Sequence, residues 1–286
     1  MKPSFKLIGA MLLFTLVGRT LLRISLMNTL LSTAWGMLFA ALLAGAAALI
    51  GRSSCSKAAV KKALPALIAG GALTAIAVVL YHQAAALVSG SVVSAWFVTL
   101  VPLLLVAGLL FCRERPPAAR LFCLLAVVAG GILLSGASFS DVSSLWGVLL
   151  SVAAALVVTI VVVVNKQCLR LPSADALALQ LLIGAVILLP YALWKTSASP
   201  AVFLTSDLLR FLLVGALFTA AATLALNAIK KMSLTATASF VLAPSALVLL
   251  IAGFSSDQTI DAFRLIGAIL ILGAFLISTV FVKSKE

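Results

Sequence analysis

Long stretches of this chain show no alternation of polar and apolar positions. From Ala63 to Cys112, 50 consecutive residues pass without Lys, Arg, Asp or Glu. A helix crossing the hydrocarbon core of a bilayer needs about 20 apolar residues. The stretch therefore holds two helices, turning at the small, polar Ser89-Gly90-Ser91. A membrane β-barrel strand would alternate residue by residue, whereas these runs are apolar on every face. In hydrocarbon a backbone polar group finds its partner only within the chain, which favours helices. Charge-free runs and breakers predict ten helices, near residues 7–25, 28–50, 63–86, 91–112, 120–137, 142–164, 175–194, 209–229, 233–254 and 264–282. The expected fold class is an all-α integral membrane protein.

The pattern repeats. Shifted by 142 residues, Ser91 falls on Ser233 and Pro102 on Pro244. Shifted by 144, Arg120-Leu121 fall on Arg264-Leu265, Cys123 on Gly267 and Ala129-Gly130 on Gly273-Ala274. The change of offset implies two extra residues in the second connecting loop. The chain thus divides into residues 1–139 and 140–286, each with five helices. An odd number of spans turns the second half upside down relative to the first, which predicts ten transmembrane helices as two inverted five-helix repeats. Transporters use this architecture, with a site near the midplane where the halves meet.

Composition and charge sharpen the picture. Hydrophobic residues make up 64% of the chain and charged residues 9%, against about 25% charged in a soluble domain. A net charge of +13 would suggest nucleic acid in a soluble protein; here the basic residues sit in short loops and set orientation. With both termini placed inside, 15 of the 20 basic residues lie inside, leaving Arg19, Arg23, Lys195, Arg210 and Arg264 outside. Both termini are expected to be cytoplasmic. Met1 to Lys6 has the charge of a signal-peptide start, but further spans follow without a clear cleavage site, so it reads as an uncleaved first helix. Cys55, Cys112, Cys123 and Cys168 fall at or near the inner ends, where thiols stay reduced, and their spacing suggests no zinc site.

The residues Tyr81 to Ser91, the Pro102 helix, the Arg113-Glu114-Arg115-Pro116 loop and a glycine-containing fifth helix, followed by Asn227 to Ser233, Pro244 and Gly267 to Gly273, resemble the drug/metabolite transporter superfamily, in its ten-helix EamA-type branch. The chain departs from that pattern at Ser256-Asp257-Gln258, where a Gly-Glu-Arg-like loop is typical, and in lacking a Trp-Gly pair in the first helix. The resemblance implies a secondary carrier of the bacterial inner membrane, commonly an exporter of amino acids or other small metabolites, with a small-molecule solute and the lipid bilayer as its partners.

None of the seven acidic residues lies in the middle of an expected helix. An exporter of organic cations, or a carboxylate-driven proton antiporter, would be expected to keep one there. Coupling by protons or by exchange then falls to His82, the single histidine, or transport is uniport. His82 stands beside Tyr81 and Gln83 and reads either as a solute or proton contact or as a neutral, hydrogen-bonded imidazole. Arg19 either meets an anionic group in the cavity or snorkels to the headgroups. Trp96 offers an apolar wall or packs against neighbours. Facing positions at suitable depth complete a candidate solute site of Arg19, Tyr81, His82, Gln83, Ser94, Trp96, Thr99, Thr219, Thr223, Asn227, Thr235 and Ser239. Pro102 and Pro244 each free a backbone carbonyl one turn earlier, and are expected to act as hinges. Gly130, Gly131, Gly267 and Gly273 are expected to let helices approach closely.

No cofactor, metal or catalytic residue is expected. A membrane-embedded transferase would need clustered acids or metal-binding histidines. A non-catalytic scaffold would need a long soluble loop or tail, and the loops here span only about a dozen residues. A channel-like facilitator stays open at this level.

Overall fold

The computed structural model describes residues 3–21, 29–50, 57–88, 90–135, 144–168, 171–196, 205–255 and 261–278. Within them the chain forms twelve helical segments and no strand: α1 (Pro3–Leu21), α2 (Thr29–Ile50), α3 (Lys57–Leu87), α4 (Gly90–Phe97), α5 (Leu100–Phe111), α6 (Ala118–Ser135), α7 (Leu145–Cys168), α8 (Ser173–Thr196), α9 (Thr205–Ile229), α10 (Leu234–Ala238), α11 (Ala243–Ser255) and α12 (Ala262–Leu276). Six stretches are long and apolar enough to cross a membrane: Leu30–Ile50, Ala58–Leu87, Ala118–Ser135, Leu145–Lys166, Ser173–Lys195 and Leu209–Ile229. Four apolar stretches are shorter.

Two of the ten expected helices are broken. The expected helix over 91–112 is α4 and α5, interrupted at Val98-Thr99; that over 233–254 is α10 and α11, interrupted at residues 239–242. Hydropathy does not register such breaks, because the chain stays apolar through them. The prolines sit just past each one, Pro102 in the first turn of α5 and Pro244 in the first turn of α11, where a missing N–H costs nothing. Each proline deprives the carbonyl four residues back of its helical donor, and a tightened turn supplies another. Val101 N–H donates to Val98 O at 3.0 Å, and Ala243 N–H to Phe240 O at 3.1 Å. The same repair thus occurs at positions 142 residues apart. The backbone groups expected to be free for a solute are satisfied here. Another expected boundary also moves: α3 begins at Lys57, ahead of the expected start at 63, because Lys61 and Lys62 stand exposed on its first turns and a charge need not end a helix.

Packing between the halves has a mirrored pattern. Exchanging α1–α6 for α7–α12 maps the α2–α8 and α6–α12 contacts onto themselves. It maps α3–α7 onto α1–α9, α2–α9 onto α3–α8, and α5–α7 onto α1–α11. One apolar cluster surrounds α2, α8 and α9, with Leu31, Leu188 and Phe211 fully buried. A second joins α1, α5, α6, α11 and α12 around Leu7, Leu104, Ile271 and Phe275. Alanines such as Ala34, Ala40, Ala155, Ala192 and Ala268 are fully buried, so helix backbones lie close, as small residues allow in membranes. The outer surface is apolar instead of charged, with Leu49, Ile50, Leu110, Phe122 and Leu209 exposed. Trp146 and Trp194 are 71% and 73% exposed at the ends of α7 and α8, where an interfacial belt would hold them.

At the α6–α12 crossing a Cβ on Gly130 would lie 2.7 Å from Gly267 O, and one on Gly267 would lie 2.6 Å from Gly130 O. Gly131 is equally crowded, by Val98 and Leu242. Gly273 departs from the expectation: a Cβ there would meet nothing within 4 Å, so this glycine lets no helix approach. Among the described residues Cys112 and Cys123 form no disulfide. Cys55, the Ser256-Asp257-Gln258 loop and the side chains of Cys168, Arg19 and Ser94 lie outside the described residues.

Candidate functional site

The last turns of α3 and α8 reach the same end of the bundle as the first turns of α2 and α7. Between them lies a cleft of about 540 Å³, lined by His82, Gln83, Tyr191 and Lys195 together with the apolar Leu30, Val79, Leu87 and Leu150. His82 also borders a second cavity of about 260 Å³, which is apolar and walled by Ala77, Val78, Tyr81, Phe97 and Val158. The imidazole therefore stands between a polar mouth and an apolar slot. Its Nδ1 lies 2.9 Å from Val78 O, one turn back on α3. A carbonyl only accepts, so Nδ1 carries the hydrogen and the neutral ring keeps Nε2 as an acceptor. The Tyr81 ring meets Phe97 edge-on at 5.6 Å and His82 at 6.1 Å. Gln83 Nε2 donates to the Tyr191 hydroxyl at 3.1 Å. Lys195 adds an exposed ammonium to this mouth. The arrangement can receive a solute with a hydrogen-bonding or anionic end and a flat or apolar body.

Of the described residues expected to face the solute, Tyr81, His82 and Gln83 line these cavities; Trp96, Thr99, Thr219, Thr223, Asn227, Thr235 and Ser239 are not among their lining residues. Trp96 packs on a small cluster of Ala84, Val88, Val92, Val93 and Val148. Thr99 Oγ1 donates to Trp96 O at 2.7 Å and so closes the α4–α5 break. Thr219 Oγ1 donates to Ala40 O at 2.9 Å, tying α9 to α2. Thr223 is half-buried on α9. Asn227 Oδ1 accepts from Ser173 Oγ at 2.8 Å. Thr235 and Ser239 are fully buried in and beside α10, where Ser239 Oγ donates to Ala236 O at 2.8 Å. Among the described residues no group of His, Cys, Asp and Glu is placed to hold a metal ion.

The strongest polar constellation lies at the opposite end of the bundle. At the end of α5, Arg113 adopts a left-handed φ of 52°, and Glu114 N–H turns back to Gly108 O at 3.0 Å. This brings the Glu114 carboxylate under α10. Its Oε1 accepts from Leu234 N–H at 2.6 Å and its Oε2 from Thr235 N–H at 3.0 Å. Ser233, the N-cap residue, accepts the next amide, Ala236 N–H, at 3.2 Å. The first three amides of a helix have no partner within it, and here all three have one. Lys166 Nζ donates to Glu114 Oε1 at 3.0 Å and to Met232 O at 2.8 Å. Arg120, 3% exposed, donates from Nη1 to Ser233 Oγ at 2.9 Å. Burial alone would raise the Glu114 pKa. The Thr235 and Leu234 amides and the Lys166 ammonium outweigh it and hold the carboxyl below its usual range.

Nearby, Lys230 Nζ donates to Leu171 O at 2.7 Å and Ser173 Oγ at 3.1 Å. Its partial burial pushes the ammonium pKa down. Gln180 Nε2 donates to Asn165 Oδ1 at 2.7 Å between α8 and α7. Sequence reasoning passed over Glu114 because it stands between two arginines in a short loop. The available signal was Ser233, an N-cap residue three positions ahead of a buried amide and far from any other acid.

Comparison with known proteins adds a family and a fold. Residues 145–280 match the EamA-like transporter family. A protein of known crystal structure, 19% identical, superposes with a TM-score of 0.75 over 96% of this chain and 95% of its own; at that identity the likeness carries the fold alone. No curated protein matches the chain. These findings agree with a multi-pass membrane protein. Over residues 145–280 the chain is similar to EamA-like transporters, a family of transporters rather than enzymes.

Proposed function

We propose that the protein is a secondary carrier that moves small organic solutes by alternating access between two inverted five-helix repeats. The observation that carries this reading is the mirrored packing of α1–α6 and α7–α12, with the same broken helix and the same carbonyl repair in each half. Two similar halves in one bundle can exchange conformations, which turns a cavity open on one side into a cavity open on the other.

The cleft at the α3–α8 end is the entry to the solute path. There His82, Tyr191 and Lys195 supply polar contacts and the Tyr81–Phe97 slot supplies an apolar wall. These features suit an amino acid or small organic anion better than an organic cation. The family likeness supports an exporter of the inner membrane, and the distribution of Lys and Arg supports cytoplasmic termini. Arg19, Trp96, Thr223 and Asn227 contribute in states of the cycle in which α1, α4 and α9 face the cavity, and Pro102 and Pro244 mark the segments that move.

Metabolite profiling of cells and medium, with and without overexpression, identifies the solute. Counterflow of that solute in vesicles then decides the mechanism. A saturable flux accelerated by solute on the far side is expected; linear, unaccelerated flux would make the protein a channel-like facilitator. Single cysteines at positions 140 and 199 should react with impermeant maleimide in intact cells, whereas Cys55 and Cys168 should not. Labelling of Cys55 would reverse the orientation. If flux follows a proton gradient, His82→Gln should abolish that dependence, because the substitution removes the protonatable imidazole and keeps a hydrogen-bonding side chain.

A further inference from the structure

We propose that Glu114 is a gating residue, whose carboxylate holds the α10 end of the bundle shut by gripping the first amides of α10. The proposal rests on the alternating-access reading. Glu114 belongs to the first half, whereas its partners Lys166, Leu234 and Thr235 all belong to the second. Arg120, also of the first half, makes a parallel link to Ser233. Glu114 and Arg120 thus join the halves at the α10 end, and the bonds must be released for that end to open.

Three features mark the contact as built. Arg113 takes a backbone conformation that costs a non-glycine residue energy, and the loop is thereby aimed at α10. Gly108 leaves room for the carboxylate: a Cβ there would lie 2.9 Å from Glu114 Oε2 and 3.3 Å from Thr235 Cγ2. The helix that is held has only five residues, too few to stand on its own internal bonds, so its position depends on its partners. The contact is also reversible in principle. The Glu114 and Lys166 side chains keep 11% and 19% of their surface accessible, so water can replace each bond as the end opens. Other charges at this end are Arg113 and Arg115 on the same loop, both exposed, and Lys230 and Lys231 after α9.

The grip on the amides carries the hold, and the Lys166 ion pair is secondary. A carboxylate without Lys166 still satisfies two backbone donors and still faces the positive end of α10. A neutral amide at position 114 leaves one of those donors facing an NH₂ group or turned to water. This ordering is the testable core of the proposal.

The readout is Cys123, one turn beyond Arg120 on α6 and buried beneath the junction. Protein carrying Cys123 as its sole thiol is placed in lipid nanodiscs, and its rate of reaction with N-ethylmaleimide is measured. Glu114→Gln should raise the rate about tenfold, which corresponds to about 1.4 kcal/mol of lost closure. Lys166→Met should raise it only about two- to threefold, that is by about 0.4–0.65 kcal/mol. Hydrogen exchange over residues 231–240 should accelerate in the same order, while α2 and α8 keep their protection.

An unchanged Cys123 rate in Glu114→Gln, with faster exchange confined to α10, would overturn the proposal, since the carboxylate would then fasten a local turn without holding the end shut. A Lys166→Met effect equal to or above that of Glu114→Gln would overturn it too. If Glu114→Gln fails to accumulate, Glu114→Asp is measured instead; it keeps the charge but draws it back by one methylene, and an unaltered rate would again overturn the proposal. Counterflow tests the carrier reading separately, so failure of the gate and failure of the carrier reading are told apart.

Discussion

Arg120 and Arg264 stand 144 residues apart, each beside a leucine near the start of a helix, α6 and α12. Arg120 is buried and bonded to Ser233 across the boundary between halves; Arg264 is exposed. The helices differ in the same sense. α6 begins beneath α10 and is drawn into the junction, whereas α12 follows Asp261, whose side chain makes no capping bond. A repeated sequence therefore does not give two equivalent ends. At one end charged side chains link the halves through Glu114, Lys166 and Arg120; at the other the link is the neutral Gln83–Tyr191 bond.

Substituting the two arginines is the strongest way to break this comparison. Arg120→Ala should destabilise the protein by about 1.5–3 kcal/mol, the range for hydrogen bonds to charged groups. Arg264→Ala should stay within about 0.5 kcal/mol, as exposed substitutions do. Equilibrium unfolding in mixed micelles measures both, and equal losses would erase the distinction.

The glycines of the same two helices sharpen it further. Gly130→Ala forces a methyl group against Gly267 O and Ile271 and should cost about 1–3 kcal/mol, as overpacking does. Gly273→Ala meets open space and should gain about 0.5–1 kcal/mol from helix propensity. A loss at Gly273 would mean that this face of α12 is covered by something further.

The smallest effect is that of pH. Because Glu114 has a lowered pKa in the folded protein, its contribution is fully present above the ordinary carboxylate value and is lost as pH falls through the lowered one. The stability difference between wild type and Glu114→Gln should therefore be flat from about pH 8 to 5.5 and narrow only below about pH 4.5. A difference that changes near neutrality would point to another group.

The helical fold was largely legible because hydrocarbon removes most alternatives: an apolar run of sufficient length has to be a helix, and the 142-residue spacing of Pro102 from Pro244 matches the shared carbonyl repair at Val98 and Phe240. The breaks at 98–99 and 239–242 were not legible, since hydropathy averages across them and only the hydrogen bonds of Val98 and Phe240 betray them. Tyr81, His82 and Gln83 were found as a group because they are neighbours on one helix. Thr219 and Asn227 were chosen by depth alone, and depth says nothing about which neighbour a hydroxyl or amide will find. Glu114 was passed over for a related reason: its partners are the backbone amides of Leu234 and Thr235, and side-chain identity does not mark which amide a carboxylate will meet.

The reach of Glu114 across the chain also has a consequence for how the protein is made. Its partner Leu234 lies 120 residues further on. At a synthesis rate of about 5–20 residues per second that separation lasts roughly 6–24 s. During this interval the ribosome has finished the first five-helix repeat, yet its α5–α6 loop has no α10 to close upon. The nascent first half is complete as a chain before it is complete as a structure, and the arrival of the second half provides the partner that its carboxylate has lacked.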